Sequence, residues 1–295
     1  MYDIIVVGAG PAGLTSAIYA RRAMKKVLVL EALSYGGQII NTLCIENYPA
    51  NPKISGFDFA TNLYNQAKDL GAEIIFEKVL EINDNKEVIT SKNKYKAQAI
   101  ILATGAYNRK LGLDHEDEFI GKGISYCASC DGAFYKNKVV AVVGGGNTAL
   151  EDALYLSDVA SKVYLIHRKD KFKGEEVFVN KLKTKNNVEF MYNSNVTKLN
   201  GKDKLESIEV NNRQIMVEGL FVAIGMIPGN EEFKEVIKLD NDGYIISSEN
   251  CHTNIPFIFS AGDNRKKDVR QLVTAVSDGA VAATEAIRYI NQENC

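Results

Sequence analysis

Residues 4–31 read IIVVGAGPAGLTSAIYARRAMKKVLVLE, and this stretch determines the predicted fold. Residues 4–7 form an apolar, β-branched run that is typical of a buried parallel strand. A glycine-rich turn over residues 8–13 leads into a helical stretch, and a second apolar strand ends at Glu31. Strand, glycine turn, helix and strand in this order are the fingerprint of a dinucleotide-binding βαβ unit.

Each glycine of this turn has its own expected task. Gly8 makes the tight turn, Gly10 lets a pyrophosphate approach the backbone, and Gly13 lets the helix lie close to the sheet. The start of the helix offers free N–H groups and the positive end of its dipole to the phosphates. The carboxylate of Glu31 is placed to accept hydrogen bonds from ribose hydroxyls.

The pattern occurs a second time in residues 139–168, VVAVVGGGNTALEDALYLSDVASKVYLIHR. The three glycines and the terminal acid recur, in order, as Gly144, Gly146, Ala149 and His167. Alanine at the third place still permits close packing of the helix. The chain is therefore predicted to hold two Rossmann-like units.

The second strands of the two repeats end with opposite charge. Glu31 suits a ribose with free hydroxyls, whereas the second repeat ends in a basic cluster. Its members are His167, Arg168, Lys169, Lys171 and Lys173. A basic cluster at this point of the fold suits a 2′-phosphate and favours NADP over NAD. A solvated basic loop is the alternative interpretation.

The rest of the chain indicates how the two units are connected. Residues 99–105 and 220–225 are buried strands that run into glycine, and the segments between them alternate like antiparallel hairpins. Residues 256–263, PFIFSAGD, form a further strand before an amphipathic helix and would complete the first sheet. We predict an α/β fold of two Rossmann-like, three-layer domains, the second inserted into the first. The predicted boundaries are residues 1–112 with 244–295 for the first domain and 113–243 for the second.

Composition excludes several classes of protein. The chain has 295 residues, 46% hydrophobic and 24% charged, with a net charge of −2. This mixture can bury a sizeable core and offers no basic surface for nucleic acid or anionic membranes. No apolar run approaches the roughly 20 residues of a membrane helix, and the chain opens on a strand rather than a signal peptide. We expect a cytoplasmic protein that binds neither nucleic acid nor membranes.

Residues 125–134, SYCASCDGAF, contain a CxxC pair followed by an aspartate. Five cysteines are too few for a secreted disulfide scaffold, and in a reducing compartment CxxC pairs are usually catalytic or metal-binding. Zinc would need a second ligand pair, for which the adjacent Cys251 and His252 are awkwardly spaced. A purely structural disulfide would close only a tiny loop. A redox pair fits best, because CxxC lowers the pKa of one thiol and Asp131 can relay a proton.

Taken together, the motifs of the chain resemble those of one family. They are VVGAGPAG, GGQIINT, IENYP, ATGA, CASCDG, GGGNTALE, HRKDKFKG, AIG and SAGD followed by RQLVTA, in the family's order and approximate spacing. The chain resembles the low-molecular-weight thioredoxin reductases, class II of the FAD-dependent pyridine nucleotide-disulfide oxidoreductases, over essentially its whole length. The resemblance implies an enzyme, habitually a homodimer, with FAD in the first domain and NADPH and the CxxC in the second. No metal is implied.

The resemblance assigns the FAD site residue by residue. The pyrophosphate would lie on Gly8, Gly10, Ala12 and Gly13, with Glu31 at the adenosine ribose. The residues expected along the rest of the cofactor are Gly37, Gln38, Asn47, Ala103, Thr104 and Gly105. Asp263 would hold the ribitol and pyrophosphate region. The last helix would begin at Arg270, Gln271 and Leu272, and its N-terminus would stabilise the negative charge of reduced flavin.

The NADPH site follows in the same way. The pyrophosphate would lie on Gly144, Gly146 and Ala149, with Asn147, Thr148 and Glu151 nearby. The 2′-phosphate would lie on His167, Arg168, Lys169 and Lys173. The family usually has His-Arg-Arg with a further Arg four residues later, and lysine keeps the charge but loses the bidentate fork. Relatives that accept electrons from ferredoxin have lost these nucleotide motifs, so the intact glycine turn favours NADPH.

The resemblance also implies the catalytic roles. Electrons would pass from NADPH through FAD to the Cys127–Cys130 disulfide, with Cys130 facing the flavin. Cys127 would attack the disulfide of thioredoxin, and Asp131 would be the acid/base. The pair and the nicotinamide cannot share one flavin face, so one domain would rotate on linkers near residues 111–118 and 240–243. The alternatives are a ferredoxin donor, a glutaredoxin-like or peroxidase-linked acceptor, or a non-catalytic flavoprotein, which the CxxC-Asp motif disfavours.

Overall fold

The computed structural model describes residues 1–42, 44–51 and 53–293. The chain forms two compact units, Met1–Tyr107 with Ile227–Cys295 and, inserted between them, Asn108–Met226. The prediction of an α/β fold with one unit inserted into the other is confirmed. The second crossing lies earlier than the predicted boundary after residue 243, because Phe233 and Ile237 are buried in the core of the first unit. Residues 240–243, predicted as a linker, therefore lie within the first unit.

The strands and helices alternate as expected for two βαβ repeats. In chain order the strands are β1 (Tyr2–Val7), β2 (Val27–Glu31), β3 (Glu73–Phe76), β4 (Val79–Ile82), β5 (Glu87–Thr90), β6 (Lys94–Leu102), β7 (Ala106–Asn108), β8 (Ile124–Ser125), β9 (Val139–Gly144), β10 (Lys162–Ile166), β11 (Val188–Met191), β12 (Val196–Gly201), β13 (Leu205–Val210), β14 (Arg213–Met216), β15 (Gly219–Ala223), β16 (Met226–Pro228) and β17 (Ile258–Ser260). The α-helices are α1 (Pro11–Arg22), α2 (Gly56–Asp69), α3 (Glu116–Phe119), α4 (Ala128–Asp131), α5 (Asn147–Ser157), α6 (Glu176–Lys183) and α7 (Leu272–Glu293). Short 3-10 helices cover Gly37–Asn41, Gly132–Tyr135 and Glu231–Phe233.

The first unit is a three-layer structure built on one sheet. Its parallel strands lie in the order β3-β2-β1-β6-β17, and β6 also pairs with the antiparallel strands β5 and β4. Along β1, Ile4 and Val6 pack in the core cluster that contains residues of α1 and α7. The alternate residues Ile5 and Val7 pack in the cluster that contains residues of β4 and β5. This alternation follows from the two-residue period of a strand.

The second unit repeats the plan. Its parallel sheet has the order β11-β10-β9-β15-β8, and the antiparallel sheet β12-β13-β14 covers one face. Val140 and Val142 of β9 pack in a cluster with residues of α5, while Ala141 and Val143 pack with residues of β12 and β13. Both predicted Rossmann-like units are therefore present, each with a helical layer on one face and antiparallel strands on the other.

In each unit, one further parallel strand pairs with β6 or β15 and leads to a turn that carries candidate site residues. In the first unit, β17 pairs with β6 and runs into Gly262 and Asp263. In the second unit, β8 pairs with β15 and runs towards Cys127. The carboxyl ends of parallel strands are where α/β sheets bind ligands. Within the described ranges, no helix combines the length and apolar character needed to cross a bilayer.

Candidate active site and nucleotide-binding turns

The CxxC pair lies just after β8, with Cys127 directly before α4 and Cys130 within it. Cys127 and Cys130 are joined in a disulfide, with their Cα atoms 5.3 Å apart. The N–H groups of Cys130 and Asp131 both donate to the carbonyl oxygen of Cys127, at 3.3 and 3.1 Å, which begins the short helix. Both cysteines are half-buried, and Sγ of Cys127 lies 3.4 Å from the hydroxyl of Ser129. The two sulfurs are bonded to each other and partly accessible, as a working redox pair requires.

Asp131 is tied to this turn through Ser125, which is 4% exposed. The Ser125 hydroxyl donates to Oδ2 of Asp131 at 2.6 Å and accepts the N–H of Cys127 at 3.1 Å. Burial raises the pKa of Asp131, and the hydrogen bond from Ser125 opposes that rise. A carboxyl group that holds its proton more tightly can supply it to a leaving thiolate. Sequence reasoning missed Ser125, although a serine that closes a buried strand just before the CxxC was a usable signal.

Residues 127–132, here called the redox turn, pack against helix α5. Ala128 is 1% exposed and lies in the same core cluster as residues of α5. A Cβ atom at Gly132 would lie only 2.6 Å from the ring of Tyr155, so the chain passes close to the helix here. The carboxyl group of Asp152 accepts a hydrogen bond from the N–H of Ala128, and burial raises the pKa of Asp152 to about 7. Asp152 looks like an ordinary surface residue in the sequence and was missed.

The first glycine turn divides into packing positions and an open position. Gly8 has a φ of +107°, and a Cβ there would lie 2.3 Å from the carbonyl oxygen of Ala103. A Cβ at Gly13 would lie 1.9 Å from the carbonyl oxygen of Gly8. By contrast, the nearest atom to a Cβ at Gly10 would be Cα of Gly37, 4.0 Å away. Protein packing explains Gly8 and Gly13, whereas Gly10 leaves room for a ligand at the start of α1, as a pyrophosphate site requires.

Asp263 lies at the carboxyl end of the parallel strands, as the first glycine turn does. A Cβ at the preceding Gly262 would lie 2.9 Å from Cβ of Ala12, so Asp263 follows a close approach to α1. Oδ1 of Asp263 is buried and has no hydrogen-bond partner among the described residues, and Nζ of Lys267 is 4.0 Å from it. Burial raises the pKa of Asp263, while Lys267 and Arg270 oppose the rise. A buried oxygen without a donor fits a hydroxyl supplied by a bound cofactor.

Several other predicted FAD residues meet at this edge. Glu31 accepts the N–H of Ala9 at 2.8 Å and that of Leu33 at 3.0 Å. The side-chain amide of Asn47 donates to Oε1 of Gln271 at 3.1 Å, and Leu272 is the first residue of α7.

Arg270 and Gln38 differ in how they are held. Nε of Arg270 donates to the carbonyl oxygen of Asp263 at 3.4 Å, and its guanidinium lies 4.0 Å from the centre of the Tyr244 ring. Gln38 is exposed, and no side-chain hydrogen bond joins it to another described residue. Arg270 is therefore fixed beside Asp263, whereas Gln38 is not fixed at the edge.

Thr104 belongs to a buried asparagine network that sequence reasoning missed. Asn230 and Asn264 are 1% and 0% exposed. Oγ1 of Thr104 donates to Oδ1 of Asn230 and accepts from Nδ2 of Asn264, both at 3.1 Å. The N–H of Gly229 donates to the carbonyl oxygen of Gly105 at 3.0 Å. These bonds fix the chain after β6 through the Thr104 side chain, so residues 103–105 would present backbone groups to a cofactor. A single asparagine in a loop has no sequence pattern that would predict its burial or its hydrogen bonds.

A second missed group holds the turn before Asp263. Oδ2 of Asp278 accepts the N–H of Gly262 at 3.0 Å and lies 2.9 Å from Nζ of Lys267. Oδ1 of the same carboxylate lies 3.0 Å from Nη1 of Arg265, whose side chain is 5% exposed. This buried charge cluster sets the course of the chain after β17.

The second glycine turn has the same division as the first. A Cβ at Gly144 would lie 2.3 Å from the carbonyl oxygen of Ala223 and 2.6 Å from Cβ of Ala149, whereas one at Gly146 would have no neighbour within 4 Å. Asn147 opens α5 and binds Glu175 twice, accepting its N–H at 2.8 Å and donating to its carboxylate at 2.9 Å. Thr148 and Glu151 are exposed. The open position again lies at the start of a helix, where a phosphate group is favoured.

The members of the basic cluster differ in their exposure to solvent. Arg168, Lys169 and Lys173 are exposed, and none forms an ion pair within the ranges described above. His167 is buried instead: a Cβ at Gly145 would lie 2.1 Å from its ring, and burial lowers its pKa. The N–H of Lys173 donates to the carbonyl oxygen of Gly145 at 2.7 Å, which joins the basic loop to the glycine turn. The three exposed cations suit a 2′-phosphate, whereas His167 supports the turn from beneath.

Two glycine turns and a CxxC disulfide in one chain agree with a known family. Residues 2–279 match the model of the pyridine nucleotide-disulphide oxidoreductases. The chain belongs to this family. Within these oxidoreductases it is 40% identical to a thioredoxin reductase of Listeria monocytogenes over 302 residues, 99% of this chain and 95% of that protein. It is 38% identical to that of Bacillus subtilis over 302 residues, with 99% and 96% covered.

Solved structures of this oxidoreductase family share the fold. The crystal structure of thioredoxin reductase from Streptococcus pyogenes superposes with a TM-score of 0.94 at 37% identity and covers 99% of both chains. A ferredoxin-flavin thioredoxin reductase from Clostridium acetobutylicum has a TM-score of 0.54 at 31% identity, with 99% of this chain and 98% of that chain covered. The family resemblance and the fold class predicted from the sequence are both confirmed.

Proposed function

We propose that the protein is a thioredoxin reductase that uses FAD to carry two electrons from NADPH to the disulfide of thioredoxin. NADPH, one proton and oxidised thioredoxin would give NADP⁺ and the thioredoxin dithiol. The observation that carries the proposal is the half-buried Cys127–Cys130 disulfide, with Asp131 hydrogen-bonded into the same turn. In a chain with two nucleotide-type glycine turns, that turn supports disulfide reduction rather than a static crosslink.

The first unit fits FAD. Gly10 leaves room for a pyrophosphate, Glu31 stands at the end of β2 for a ribose, and the unpaired Oδ1 of Asp263 can accept a hydroxyl. When bound, FAD supplies a two-electron carrier between nicotinamide and disulfide. Asn47, Gln271 and the start of α7 would hold the other end of the cofactor.

The second unit fits NADPH. Gly146 leaves an open space at the start of α5, where Asn147 and Thr148 would lie beside the pyrophosphate. Arg168, Lys169 and Lys173 would bind the 2′-phosphate through their charge, and His167 would hold the turn in place. Lysine at two of these positions keeps the attraction but gives up the bidentate contact of arginine.

The redox pair would act in two exchange steps after its reduction. The Cys127 thiolate attacks the thioredoxin disulfide, forms a mixed disulfide and releases one thioredoxin sulfur as a thiolate. The Cys130 thiolate then attacks the Cys127 sulfur, which restores the internal disulfide and releases the second thioredoxin sulfur. Asp131 gives its proton to a leaving thiolate, and Ser125 holds the carboxyl group in reach by its 2.6 Å hydrogen bond.

A different electron donor is the second candidate. It is favoured by the likeness, at 31% identity, to a protein described as a ferredoxin-flavin thioredoxin reductase. NADPH remains our proposal because the open Gly146 position and three exposed cations lie together where a phosphorylated ribose would bind. We also propose that the enzyme is a cytoplasmic homodimer, as its resemblance to the family implies.

The decisive experiment follows the flavin absorbance of the purified protein under anaerobic conditions. NADPH should bleach the band, and oxidised thioredoxin should restore it. The Cys130→Ser variant should still bleach but not turn over, whereas Cys44→Ser, a half-buried cysteine outside the pair, should behave as the wild type. Absence of bleaching would remove NADPH as donor, in which case reduced ferredoxin is the next donor to add. Bleaching without reoxidation would remove thioredoxin as acceptor.

A further inference from the structure

Glu116 is a buried carboxylate that is hydrogen-bonded to two separate parts of the second unit. It is the first residue of α3 and is 3% exposed. Its neighbour Asp117 is exposed and pairs with Lys110 at 2.6 Å. Glu118 is exposed as well and lies 3.0 Å from Nδ1 of His115. Burial of a carboxylate is costly unless its oxygens are hydrogen-bonded, so the partners of Glu116 indicate its role.

Three of its hydrogen bonds come from residues 111–113, here called the entry segment because it follows the crossing into the second unit. Oε1 of Glu116 accepts the N–H of Leu111 at 2.9 Å. Oε2 accepts those of Gly112 and Leu113, at 2.8 and 3.4 Å. Gly112 has a φ of +76°, and successive N–H groups around a left-handed residue form a concave anion site. The carboxylate of Glu116 fills that site, so α3 holds the entry segment, which the sequence predicted as part of a linker.

The fourth hydrogen bond comes from Tyr126, the residue directly before Cys127. Its hydroxyl donates to Oε1 of Glu116 at 3.0 Å. Burial and the charge of Glu116 raise the pKa of Tyr126, so the phenol keeps its proton and remains a donor at neutral pH. All four partners are donors, which suits a carboxylate because its oxygens only accept. One side chain therefore joins the entry segment to the chain that leads into the redox turn.

The short helix that carries Glu116 is itself anchored in the core. Phe119 is 4% exposed and packs in the cluster that contains residues of β12 and β13. A Cβ at Gly123 would lie 2.5 Å from Cβ of Leu205, so the chain between α3 and β8 passes close to β13. The N–H of Leu205 donates to the carbonyl oxygen of Lys122 at 2.8 Å. Glu116 therefore holds its two partners from a fixed position.

We propose that Glu116 is a positioning residue that fixes the entry segment and the redox turn as one rigid piece and so holds the Cys127–Cys130 pair in the geometry that disulfide exchange needs. The proposal rests on the function proposed above. Glu116 acts through Tyr126 and transfers no proton, which separates its role from that of Asp131. Bending at this crossing would then fall before the entry segment rather than within it.

Three single variants separate the two links. Glu116→Gln leaves only one acceptor oxygen and sets an amide NH₂ group against other donors, so both links weaken. Tyr126→Phe removes only the hydroxyl, so the entry segment keeps its acceptor. Asp117→Asn is the control, because it changes the adjacent acid and breaks only an exposed pair with Lys110, which contributes little.

Hydrogen exchange of the full-length oxidised protein, followed by mass spectrometry, measures each link. Peptides of residues 110–114 and 126–131 report on the entry segment and on the redox turn. Glu116→Gln should exchange about tenfold faster or more in both peptides, because it loses hydrogen bonds to a charged group. Tyr126→Phe should do so in residues 126–131 with a smaller change in residues 110–114, and Asp117→Asn should match the wild type in both. Wild-type exchange of residues 126–131 in Glu116→Gln would overturn the proposal, since the carboxylate would then only close a local loop.

A kinetic measurement distinguishes positioning from a general loss of structure. Reduction of the flavin by NADPH does not involve the redox turn, so the rate and extent of anaerobic bleaching should be unchanged in Tyr126→Phe. The kcat for thioredoxin reduction should fall about tenfold, because misplaced reacting groups slow the exchange steps. Tyr126→Phe with the kcat of the wild type, or with flavin reduction slowed to the same extent as turnover, would contradict the proposed role.

The outcomes separate this inference from the proposed function. If the wild type does not reduce thioredoxin while both peptides respond to Glu116→Gln, the proposed function fails and the rigid link stands. If thioredoxin is reduced but the variants exchange like the wild type, the function stands and the role of Glu116 is wrong. Thermal unfolding of each variant identifies any loss of the fold, and Tyr126→Phe, which introduces no new polar group, keeps the test decisive if Glu116→Gln does not fold.

Discussion

Replacing Ser125 with alanine should raise the pKa of Asp131. The hydroxyl donates to the ionised carboxylate at 2.6 Å, so its loss favours the neutral form. Hydrogen bonds to charged groups contribute about 1.5–3 kcal/mol, and one pKa unit corresponds to about 1.4 kcal/mol. We therefore expect Ser125→Ala to raise the pKa of Asp131 further, because burial then acts without the opposing hydrogen bond.

The pH dependence of thioredoxin reduction measures this change. If Asp131 must be protonated to act as the acid, activity falls as the pH rises through its pKa, and Ser125→Ala should shift that limb to higher pH. Ser125→Thr keeps a hydroxyl and should retain the wild-type limb. Ser207→Ala removes another buried hydroxyl of the second unit, which accepts from Gln214 at 2.9 Å, and should leave the limb in place. An unmoved limb in Ser125→Ala, or one at lower pH, would refute the reasoning.

The free energy of unfolding should also depend on pH through the raised pKa of Asp131. The folded state binds the Asp131 proton more tightly than the unfolded chain, so this contribution is full below the unfolded pKa of about 3.9 and is lost as pH rises through the raised pKa. In Ser125→Ala the loss extends to higher pH. The N–H of Cys127 also loses its acceptor, which costs about 1–3 kcal/mol when such a group is buried. Urea unfolding at pH 4 and pH 8 should therefore show a larger difference in the variant than in the wild type.

Three further results are expected. Gly10→Ala should fold but lose FAD, measured as flavin absorbance per protein, whereas Gly13→Ala should also lower the melting temperature because its Cβ would lie 1.9 Å from a carbonyl oxygen; equal melting temperatures would contradict this. Lys169→Ala combined with Lys173→Ala should raise KM for NADPH about tenfold or more and leave KM for NADH nearly unchanged, with Lys181→Ala as the exposed control, since only NADPH carries the 2′-phosphate. Asp278→Asn should lower the free energy of unfolding by about 3–5 kcal/mol because it leaves Arg265 buried without its partner, while Asp158→Asn, which breaks an exposed pair, should cost less than about 1 kcal/mol; similar losses in both would sink the argument.

Much of the fold could be predicted because its signals are local. The β-branched runs, the spacing of Gly8, Gly10 and Gly13 and their recurrence each specify a βαβ unit within about 30 residues. The second domain boundary could not be read in this way. Phe233, Val236 and Ile237 pack in the core of the first unit, but their i, i+3, i+4 spacing covers a single turn and does not indicate which unit the segment joins.

The candidate site was predictable only where chemistry is written into a motif. Cys127, Cys130 and Asp131 are adjacent in the chain, and the structure joins the two sulfurs and hydrogen-bonds the acid into the turn. Asp152 and Asp278 act on residues far from them in the chain, at Ala128 and Gly262, so only the folded structure brings them together. For His167 the sequence was misleading. It stands in a run of basic residues, which predicts an exposed phosphate ligand, but its ring is buried against Gly145.

The edge strands β8 and β17 show how the chain path differs between the two halves. They hold equivalent sheet positions, yet β17 enters after the whole inserted unit while β8 enters before its own glycine turn. End-to-end alignment of the halves therefore pairs the glycine turns but cannot pair these strands, since they stand at different places in the chain order. The CxxC turn and the turn that carries Asp263 therefore follow strands at equivalent positions of the two sheets, although the chain reaches those positions in a different order.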